Sequence, residues 1–457
     1  MQKFEKTLLA NVNQETLFAW HESPGAFTRL TPSWEKVSVL SHQGGIKDGA
    51  EVKLKVNVLG PISLPWHLSH QEYRHNEHFS DLQTKGMFAY WKHNHIMNKE
   101  AKFSKLVDKI EYKLPLGFIG DLFGSAFVKA KLERLFRFRH QRTKIETKIF
   151  QEKKETMRIL VAGSSGMVGE DLVSFLKHQG HEVSRLTRNQ KASYAEETIF
   201  WDPEAGLLNE ADVNGFDAVV NLAGENIANK RWTEKQKQKI KDSRVNSTKL
   251  LATALTKVTE PPRVFVCASA IGFYGDRPDE ILNESSVAVK GDFLSVTCKE
   301  WEEACAPAKD FGIRVVNARF GIVLSPKGGA MSKLLLPFQL GLGGQIGNGD
   351  QVMSWITLDD VIYGLNYVIQ NDTCSGAVNF TAPNPVTNKE FTKVLGKVLA
   401  RPTIFPVPSF GAKLVFGEMA DALLLSSQKV KPLKLESSGY EFSYPDLESG
   451  LRHLLGK

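Results

Sequence analysis

The stretch that most constrains this chain is VAGSSGMVG, residues 161–169, in which Gly163, Gly166 and Gly169 stand three residues apart. The apolar run RILVA precedes it, and EDLVSFLKHQG, with apolar residues at helical spacing, follows it. This order predicts a strand covered on both faces, a glycine-rich turn and an amphipathic helix. Glycines in such a turn let the backbone approach a pyrophosphate, which the N–H groups and dipole of the helix N-terminus stabilise.

A glycine triplet alone has a simpler explanation, because a tight turn with positive φ also requires glycine. The strand before the glycines and the helix after them favour a dinucleotide site instead. We therefore predict that this turn binds the cofactor phosphates, and we include Ser164, Ser165, Met167 and Val168 among the contacts.

The composition is that of a soluble globular protein, with 457 residues of which 42% are apolar and 24% charged. This length predicts two or three domains. We expect no membrane span, because no apolar run reaches about 18 residues. The N-terminus lacks a signal-peptide core, and the four cysteines show no CxxC spacing, so we predict a cytoplasmic protein with reduced thiols.

The net charge of +7 comes from the first 150 residues, and much of the excess lies in KAKLERLFRFRHQRTK at 129–144. Such a segment is typical of a solvated helix face, and a nucleic-acid or membrane surface is the alternative. No nucleic-acid-binding motif accompanies it, so we predict no nucleic-acid partner.

Residues 1–150 are predicted to form a separate α+β domain. KFEKTLLANV and EVKLKVNVL alternate as strands do, further strand-like segments follow, and a long helix is expected at about 121–140. Antiparallel strands that end in one long helix can curve around that helix and leave an apolar cavity. This order, with FAYWKHNHIMN followed by LVDKIEYKLPLG, resembles the START-like, polyketide-cyclase type of helix-grip domain. The resemblance implies an apolar ligand of unspecified identity. The polar and charged residues 142–156 are interpreted as the connection to the next domain.

Nine of the twelve histidines fall in this first domain. His93 and His95 are two apart in a predicted strand and share a face, and with His67 and His70 they could be metal ligands. We favour a structural or cavity-lining role and predict no metal site, because no cysteine or tight carboxylate cluster accompanies them in the sequence.

From Met157 the pattern changes to alternating strands and helices, with strands predicted in HEVSRLTR, FDAVVNLAG, RVFVCASAIGFYG and IRVVNARFGIVLS. This alternation predicts an α/β Rossmann fold with a doubly wound parallel sheet.

A site that prefers NAD usually has Asp or Glu at the end of the second strand. Here that strand ends in Thr187 and Arg188, and the planar guanidinium suits a 2′-phosphate, so we predict NADP. A surface arginine without this role is the alternative. Arg244 is a second basic candidate.

The glycine motif together with NLAGENIANKRWTE, SRVNST, ASAIGFYG, GDFLSVTCKEWE, GGAMSKLLLPFQLGLGG and SWITLDD resembles the YfcH-like epimerase family of short-chain dehydrogenases/reductases. The resemblance spans about 157–455 and implies a Rossmann domain at 157–385 and a small substrate-side domain at 386–457. It also implies cofactor contacts from the glycine turn and beyond it, at Thr187, Arg188, Leu222, Ala223, Gly224, Arg244 and Val323.

The chain departs from the chemistry of this superfamily, whose ordinary members use a Tyr and a Lys four residues apart. Lys299 is present, but Ser295 stands four residues before it. We predict Ser269, Tyr274 and Lys299 as the catalytic residues. Tyr274 before a glycine also fits a structural role, and Asp292 and Glu302 are further titratable candidates.

The stretch LLLPFQLGLGGQIGNGDQVMSWITLDD is interpreted either as a mobile cover over the substrate or as a surface loop followed by a capped helix that starts at Asp359 or Asp360. Two functions remain. One is an NADP-dependent oxidoreductase or epimerase acting on a small molecule. The other is a non-catalytic protein that binds NADP and an apolar ligand and regulates a partner. The substrate and the oligomeric state are left open.

Overall fold

The computed structural model describes residues 1–59, 62–115, 117–191 and 197–457. The chain forms two compact units. The first contains Met1–Glu155, Lys177–Gly180 and Leu455–Lys457, and the second contains Thr156–Leu176 and His181–Leu454. Among the described helices, none combines the length and the apolar character that crossing a bilayer requires.

The first unit is built on an antiparallel sheet of seven strands. These are β1 (Gln2–Ala10), β2 (Val37–Gln43), β3 (Glu51–Leu59), β4 (Ile62–Arg74), β5 (His78–Lys85), β6 (Tyr90–Lys99) and β7 (Ser104–Lys113). The spatial order is β1-β7-β6-β5-β4-β3-β2, so every neighbour except β1 is also next in sequence. Three helices complete the unit, namely α1 (Gln14–Glu22), α2 (Ala26–Arg29) and the 35-residue α3 (Phe118–Glu152).

Helix α3 packs against the sheet with one side only. Its Leu132 and Phe136 are buried in the same cluster as Leu54 of β3 and Ile110 of β7. Because side chains four residues apart share a helix face, this apolar stripe places the helix along the sheet. The antiparallel strands and the long helix expected from the sequence are therefore present.

The connection predicted at 142–156 is mostly helix, which corrects that interpretation. The buried side of α3 continues beyond residue 140 with His140, Thr143 and Thr147. These residues keep the helical spacing but are polar, so an apolar-periodicity argument ends the helix about three turns too early.

The second unit contains a parallel sheet of seven strands. These are β8 (Arg158–Ala162), β9 (Glu182–Thr187), β10 (Thr198–Phe200), β11 (Ala218–Asn221), β12 (Val264–Ala270), β14 (Arg314–Phe320) and β18 (Gly376–Phe380). Three short pairs lie outside it: β13 (Arg277–Leu282) with β20 (Gln428–Val430), β15 (Ile322–Leu324) with β17 (Trp355–Thr357), and β16 (Val352–Met353) with β19 (Val386–Thr387).

Helices connect these strands. They are α4 (Met167–His178), α5 (Glu234–Ala254), α6 (Phe293–Glu303), α7 (Ala306–Asp310), α8 (Gly329–Gln339), α9 (Leu358–Gln370), α10 (Asn388–Leu399), α11 (Ser409–Phe416), α12 (Glu418–Ala420), α13 (Leu433–Ser437) and α14 (Leu447–Leu455). Short 3₁₀ turns occur at Glu210–Val213 and Ile271–Tyr274, and a π turn at Asp421–Leu425.

The sheet order β10-β9-β8-β11-β12-β14-β18 confirms the predicted doubly wound architecture. The chain runs outward from β8 to β10 and then returns to the other side of β8 at β11. In such sheets ligands bind at the carboxyl ends of the strands where the order reverses, which here is between β8 and β11.

Asp360 ties the C-terminal segment to the rest of the second unit. Its carboxylate accepts hydrogen bonds from the backbone N–H groups of Ser443 at 2.8 Å and Tyr444 at 3.1 Å. It also accepts one from the hydroxyl of Thr357 at 3.0 Å. The N-cap of α9 is Thr357, whose side chain accepts from the backbone of Asp360. The expected capped helix is present, but it starts at Leu358, one residue before Asp359.

We expect Asp360→Ala to destabilise the second unit by at least about 2 kcal/mol, because it leaves buried N–H donors without an acceptor. A loss of that size lowers the melting temperature by several degrees, at about 2–4 °C per kcal/mol for a unit of this size. Differential scanning calorimetry of the full chain measures it. The matched control is Asp372→Ala, where the carboxylate is 90% exposed and little change is expected. Equal melting temperatures for the two variants would contradict this role of Asp360.

Candidate functional site

The three glycines of the turn after β8 differ in whether the fold leaves space for a side chain. Gly163 has a φ of +75°, and a Cβ there would lie 2.5 Å from the backbone carbon of Leu222. A Cβ at Gly169 would lie 2.2 Å from the carbonyl oxygen of Gly163. Both positions therefore require glycine for the close approach of backbone segments.

Gly166 differs from the other two glycines. A Cβ there would meet only the carbonyl oxygen of Gly163, at 3.4 Å, and its φ lies outside the left-handed region. Residue 166 is exposed, as is Ser165, and α4 begins at the next residue. The fold does not need glycine here. A backbone without a side chain at the start of a helix is what a pyrophosphate needs for close approach.

The other predicted cofactor residues lie at the carboxyl edge of the same sheet. Thr187 ends β9, and the exposed Arg188 follows it, with its guanidinium 3.8 Å from the carboxylate of Glu204. Leu222 and Ala223 follow β11 directly, and the Ala223 N–H donates to the side chain of Asn221 at 3.1 Å.

Arg244 reaches this edge from α5. Its guanidinium carbon would lie 3.2 Å from a Cβ at Gly224, and it stands 5.1 Å from the centre of the Trp301 ring. Burial lowers the pKa of Arg244 from its usual value. Val323 lies in β15, two residues after the loop that follows β14. The turn, Arg188, Arg244 and these loops together form a continuous edge, and their contacts with a cofactor stay predictions.

Ser269 and Tyr274, which the sequence suggested as catalytic residues, belong to one buried polar network. The Ser269 hydroxyl donates to Glu302 at 2.7 Å. Arg319 donates to both oxygens of Glu302, at 2.7 and 2.8 Å, and to the Tyr274 hydroxyl at 2.9 Å. The Tyr274 hydroxyl in turn donates to Asn379 at 2.7 Å.

The environment of Tyr274 favours a structural role. Its side chain is fully buried, and burial raises its pKa above the usual value despite the nearby Arg319. The Arg319 guanidinium also stands 3.5 Å from the centre of the Phe273 ring, which holds the 3₁₀ turn after β12 against β14. Proton donation by Tyr274 would require this network to open.

Lys299 is not part of this network, which corrects its grouping with Ser269 and Tyr274. Its side chain is 62% exposed and lies 3.7 Å from Glu303 on the same face of α6. Ser295 is fully buried, and its hydroxyl lies within hydrogen-bonding distance of the carbonyl oxygens of Phe273 at 2.7 Å and Val289 at 2.8 Å. Ser295 therefore fastens α6 to the neighbouring loops, and Asp292 caps the same helix.

Arg319 and Asn379 are functional candidates that the sequence reasoning missed. Both lie on strands, at positions where an inward-facing polar residue has no local signature. The tertiary fold also brings Cys298 close to Arg244, where burial and Glu302 raise the thiol pKa to about 12. The available signal for Arg319 was a second arginine within the strand IRVVNARFG, which also contains Arg314 and Asn317.

The first unit contains a cavity of about 570 Å³ between the sheet and α3. Its apolar lining includes Leu54, Trp91 and Phe136. Several histidines line it as well, which agrees with the cavity-lining role predicted for His70, His93 and His95. His67 is outside the described lining.

Two carboxylates accompany these histidines, contrary to the expectation from the sequence. Asp81 lies 3.7 Å from His93 and 3.9 Å from His95, and Asp108 lies 3.0 Å and 2.7 Å from the same two rings. Burial opposes charge here, yet the adjacent histidines lower the pKa of Asp81 to about 2. Burial also lowers the pKa of His95, but Asp108 and Asp81 outweigh it and raise that pKa to about 9.

Comparison with known proteins identifies the second unit. The model of the NAD dependent epimerase/dehydratase family matches residues 159–379, and that of a domain of unknown function, DUF1731, matches residues 407–454. An epimerase family protein of Mycobacterium tuberculosis is 40% identical over 293 residues, which are 64% of this chain and 96% of that protein.

Solved structures extend the comparison to the whole chain. The crystal structure of a nucleoside-diphosphate sugar epimerase from Corynebacterium glutamicum covers 99% of this chain and 90% of its own, with 29% identity and a TM-score of 0.80. The human epimerase family protein SDR39U1, solved with NADPH, covers 65% of this chain and 99% of its own, with 37% identity and a TM-score of 0.60. The resemblance of residues 157–455 to an epimerase family is confirmed, and this chain belongs to the NAD dependent epimerase/dehydratase family.

Proposed function

We propose that this protein is an NADP-dependent oxidoreductase of the epimerase type, which acts on an oxygen-bearing carbon of a small molecule. The observation that carries the proposal is the turn at Gly166. This position is glycine although the fold tolerates a side chain there, so the open backbone serves a ligand. Bound NADP(H) would supply hydride transfer at the carboxyl edge of the sheet.

The choice of NADP over NAD rests on Arg188 and on a relative. Arg188 follows the second strand of the sheet, where the ribose of a dinucleotide lies in this fold. It lies 3.8 Å from the exposed Glu204, and this weak surface pair leaves the guanidinium able to turn toward a 2′-phosphate. The crystal structure of human SDR39U1 with NADPH supports the same choice.

For the chemistry, we assign Ser269 to the substrate side and Tyr274 to positioning. Ser269 is the penultimate residue of β12, and its hydroxyl is oriented by the Glu302 carboxylate. Arg319 neutralises Glu302 and also holds Tyr274, so the network fixes the end of β12 rigidly. Because its proton is donated to Glu302, this fixed hydroxyl can accept a hydrogen bond from an alcohol group of a substrate.

A second candidate function is that of a non-catalytic, NADP-responsive binding protein. The buried Ser295 and the solvent-facing Lys299 favour it, because neither member of the usual Tyr–Lys pair is available to donate a proton. The two candidates differ in whether any substrate oxidises NADPH.

For the first unit, we propose a START-like helix-grip domain that binds an apolar ligand. Its antiparallel sheet and the long α3 enclose a cavity whose volume is in the range of small-molecule sites. The similarity of the whole chain to the Corynebacterium glutamicum structure indicates that this unit also accompanies the epimerase fold there.

We expect Arg188→Ala to reduce the preference for NADPH over NADH by about tenfold. A hydrogen bond to a charged group contributes about 1.5–3 kcal/mol, and the exposure of Arg188 favours the lower end. Titrating both cofactors by calorimetry gives the ratio of dissociation constants. Arg263→Ala is the control, because it removes another arginine that is more than half exposed, directly before the first residue of β12. Equal affinities of the unmodified protein for NADPH and NADH would refute the assignment.

We expect Gly166→Ala to weaken NADPH binding by at least about tenfold while the melting temperature stays within a few degrees, because the methyl group occupies the space of the pyrophosphate. Gly411→Ala is the control for adding a methyl group, since a Cβ there meets nothing within 4 Å. Unchanged NADPH affinity in a stable Gly166→Ala protein would show that the cofactor lies elsewhere.

The enzyme and binding-protein functions are separated by following NADPH absorbance with carbonyl compounds and nucleotide sugars. If one is turned over, Ser269→Ala should lower kcat by about 10²-fold or more with NADPH affinity retained. Lys299→Ala should change kcat little, because its ammonium group faces solvent beside Glu303. Loss of turnover in Lys299→Ala would contradict our placement of the site, and no turnover with any substrate would favour the binding protein.

A further inference from the structure

Three side chains on the inward face of the N-terminal sheet converge on one point. Asp81 of β5 pairs in register with His93 of β6, and His95 lies two residues further along the same face. One ligand atom from each of the three lies within 4.8 Å of the others. The Asp81 oxygens are 3.7 Å from His93 Nδ1 and 3.9 Å from His95 Nε2.

Asp108 of β7 stands behind the two imidazoles. Its Oδ1 is 3.0 Å from His93 Nε2 and 2.7 Å from His95 Nδ1. Asp108 therefore faces one nitrogen of each ring, while the other nitrogen faces Asp81. When a metal ion displaces the ring protons that face Asp81, one proton remains between each ring and Asp108, and both lone pairs are directed toward Asp81. A carboxylate behind a ligating histidine is the arrangement that fixes the tautomer and the ring orientation in metal sites.

The geometry is close to that of a bound metal ion. Ligand atoms at 2.0–2.2 Å from one metal stand about 3.0–3.6 Å apart, depending on the coordination angle. The two measured distances exceed this range by only a few tenths of an ångström. The two distances involve different oxygens of Asp81, and all three ligand atoms lie within 4.8 Å of one another, so the side chains must move closer together to hold a metal ion.

The same three residues line the cavity of the first unit. Their side chains are between 4% and 14% exposed, so they are shielded from bulk water but open to the cavity. A metal held by only three protein ligands keeps a position for a further ligand. Here that position would face the apolar chamber.

We propose that Asp81, His93 and His95 bind a divalent transition-metal ion of the zinc type, and that its open coordination position takes the oxygen or nitrogen head group of the cavity ligand. Two imidazoles with one carboxylate suit Zn²⁺, Fe²⁺ or Co²⁺ and disfavour Mg²⁺ and Ca²⁺, which prefer all-oxygen ligands. The site goes beyond the oxidoreductase function, and all its residues belong to the first unit.

The competing explanation is a purely structural ion-pair network. In that case the histidines neutralise Asp81 and Asp108, and His140, whose Nε2 is 2.6 Å from Asp108, completes the network. The two explanations differ in a measurable way, because only a metal site gives specific, stoichiometric binding that depends on Asp81.

The test uses the full-length protein after metal removal with a chelator. Co²⁺ is titrated with detection of its visible ligand-field absorption, and Zn²⁺ is titrated by calorimetry. We expect one ion per chain with a dissociation constant of about 1 µM or tighter. Asp81→Asn and His93→Gln should each weaken binding by at least about tenfold, and Asp108→Asn by about 10- to 100-fold.

His67→Gln is the matched control, since it removes a histidine of β4 that is outside the described cavity lining, and it should leave affinity within about twofold. Melting curves identify any variant that fails to fold. The titration of the unmodified protein tests the proposal even if every variant fails to fold. Absence of stoichiometric binding in the unmodified protein overturns the proposal. Equal affinity in a folded Asp81→Asn protein overturns it as well. Gly166→Ala should bind metal normally, so loss of the NADPH site and loss of the metal site are distinguishable.

Discussion

The second unit depends on the close contact of three backbone segments at the turn after β8. The turn at Gly163 touches the chain at Leu222, and Gly169 of α4 touches the turn, with no space for a Cβ at either contact. These contacts bring the N-terminus of α4 to the point where the sheet order reverses. Two of the three glycines are needed for backbone packing. Packing does not explain why residue 166 is glycine, and this is the position from which we infer a ligand. The functional interpretation therefore rests on a position that the fold itself leaves free.

At the end of β12, hydrogen-bonded ion pairs rather than close backbone packing position the side chains. Arg319 donates hydrogen bonds to both oxygens of Glu302 and to the hydroxyl of Tyr274. Tyr274 and Arg319 are buried, and the side chain of Glu302 is 13% exposed. A buried pair of this kind is costly unless its hydrogen bonds are satisfied. Here Ser269 and Asn379 complete them, so the region is ordered before any substrate binds. The usual Tyr–Lys pair is not part of this region, because Ser295 is buried against backbone carbonyl groups and Lys299 is 62% exposed.

The first unit also contains buried, paired charges, at two places. Glu146 of α3 is fully buried and paired with Arg29, and Asp108 is surrounded by three histidines. The first pair fastens α2 to α3 on the outside of the cavity. In the second cluster, His93 and His95 line the cavity, while Asp108 and His140 are not among its lining residues. A polar cluster at the wall of an apolar chamber gives such a chamber the means to select a ligand by its head group.

The sequence alone determined those features that depend on neighbours along the chain. Strand–turn–helix order, the period of the apolar residues and the glycine spacing predicted the parallel sheet and the cofactor edge, because each is encoded within about 20 residues. The N-terminal strands and the long helix were predicted in the same way, although α3 was cut short where its buried stripe became polar.

Only the tertiary structure decided which polar side chains meet. Asp81 and Asp108 lie 12 and 15 residues from His93, so the sequence showed no tight carboxylate cluster beside the histidines, yet strand pairing places both carboxylates beside the same rings. Likewise, spacing grouped Lys299 with Ser295, whereas the rotation of α6 directs Lys299 to solvent and buries Ser295. Register between strands and the rotation of a helix against a sheet are set by the summed packing of many distant residues, and no local pattern in the sequence records them.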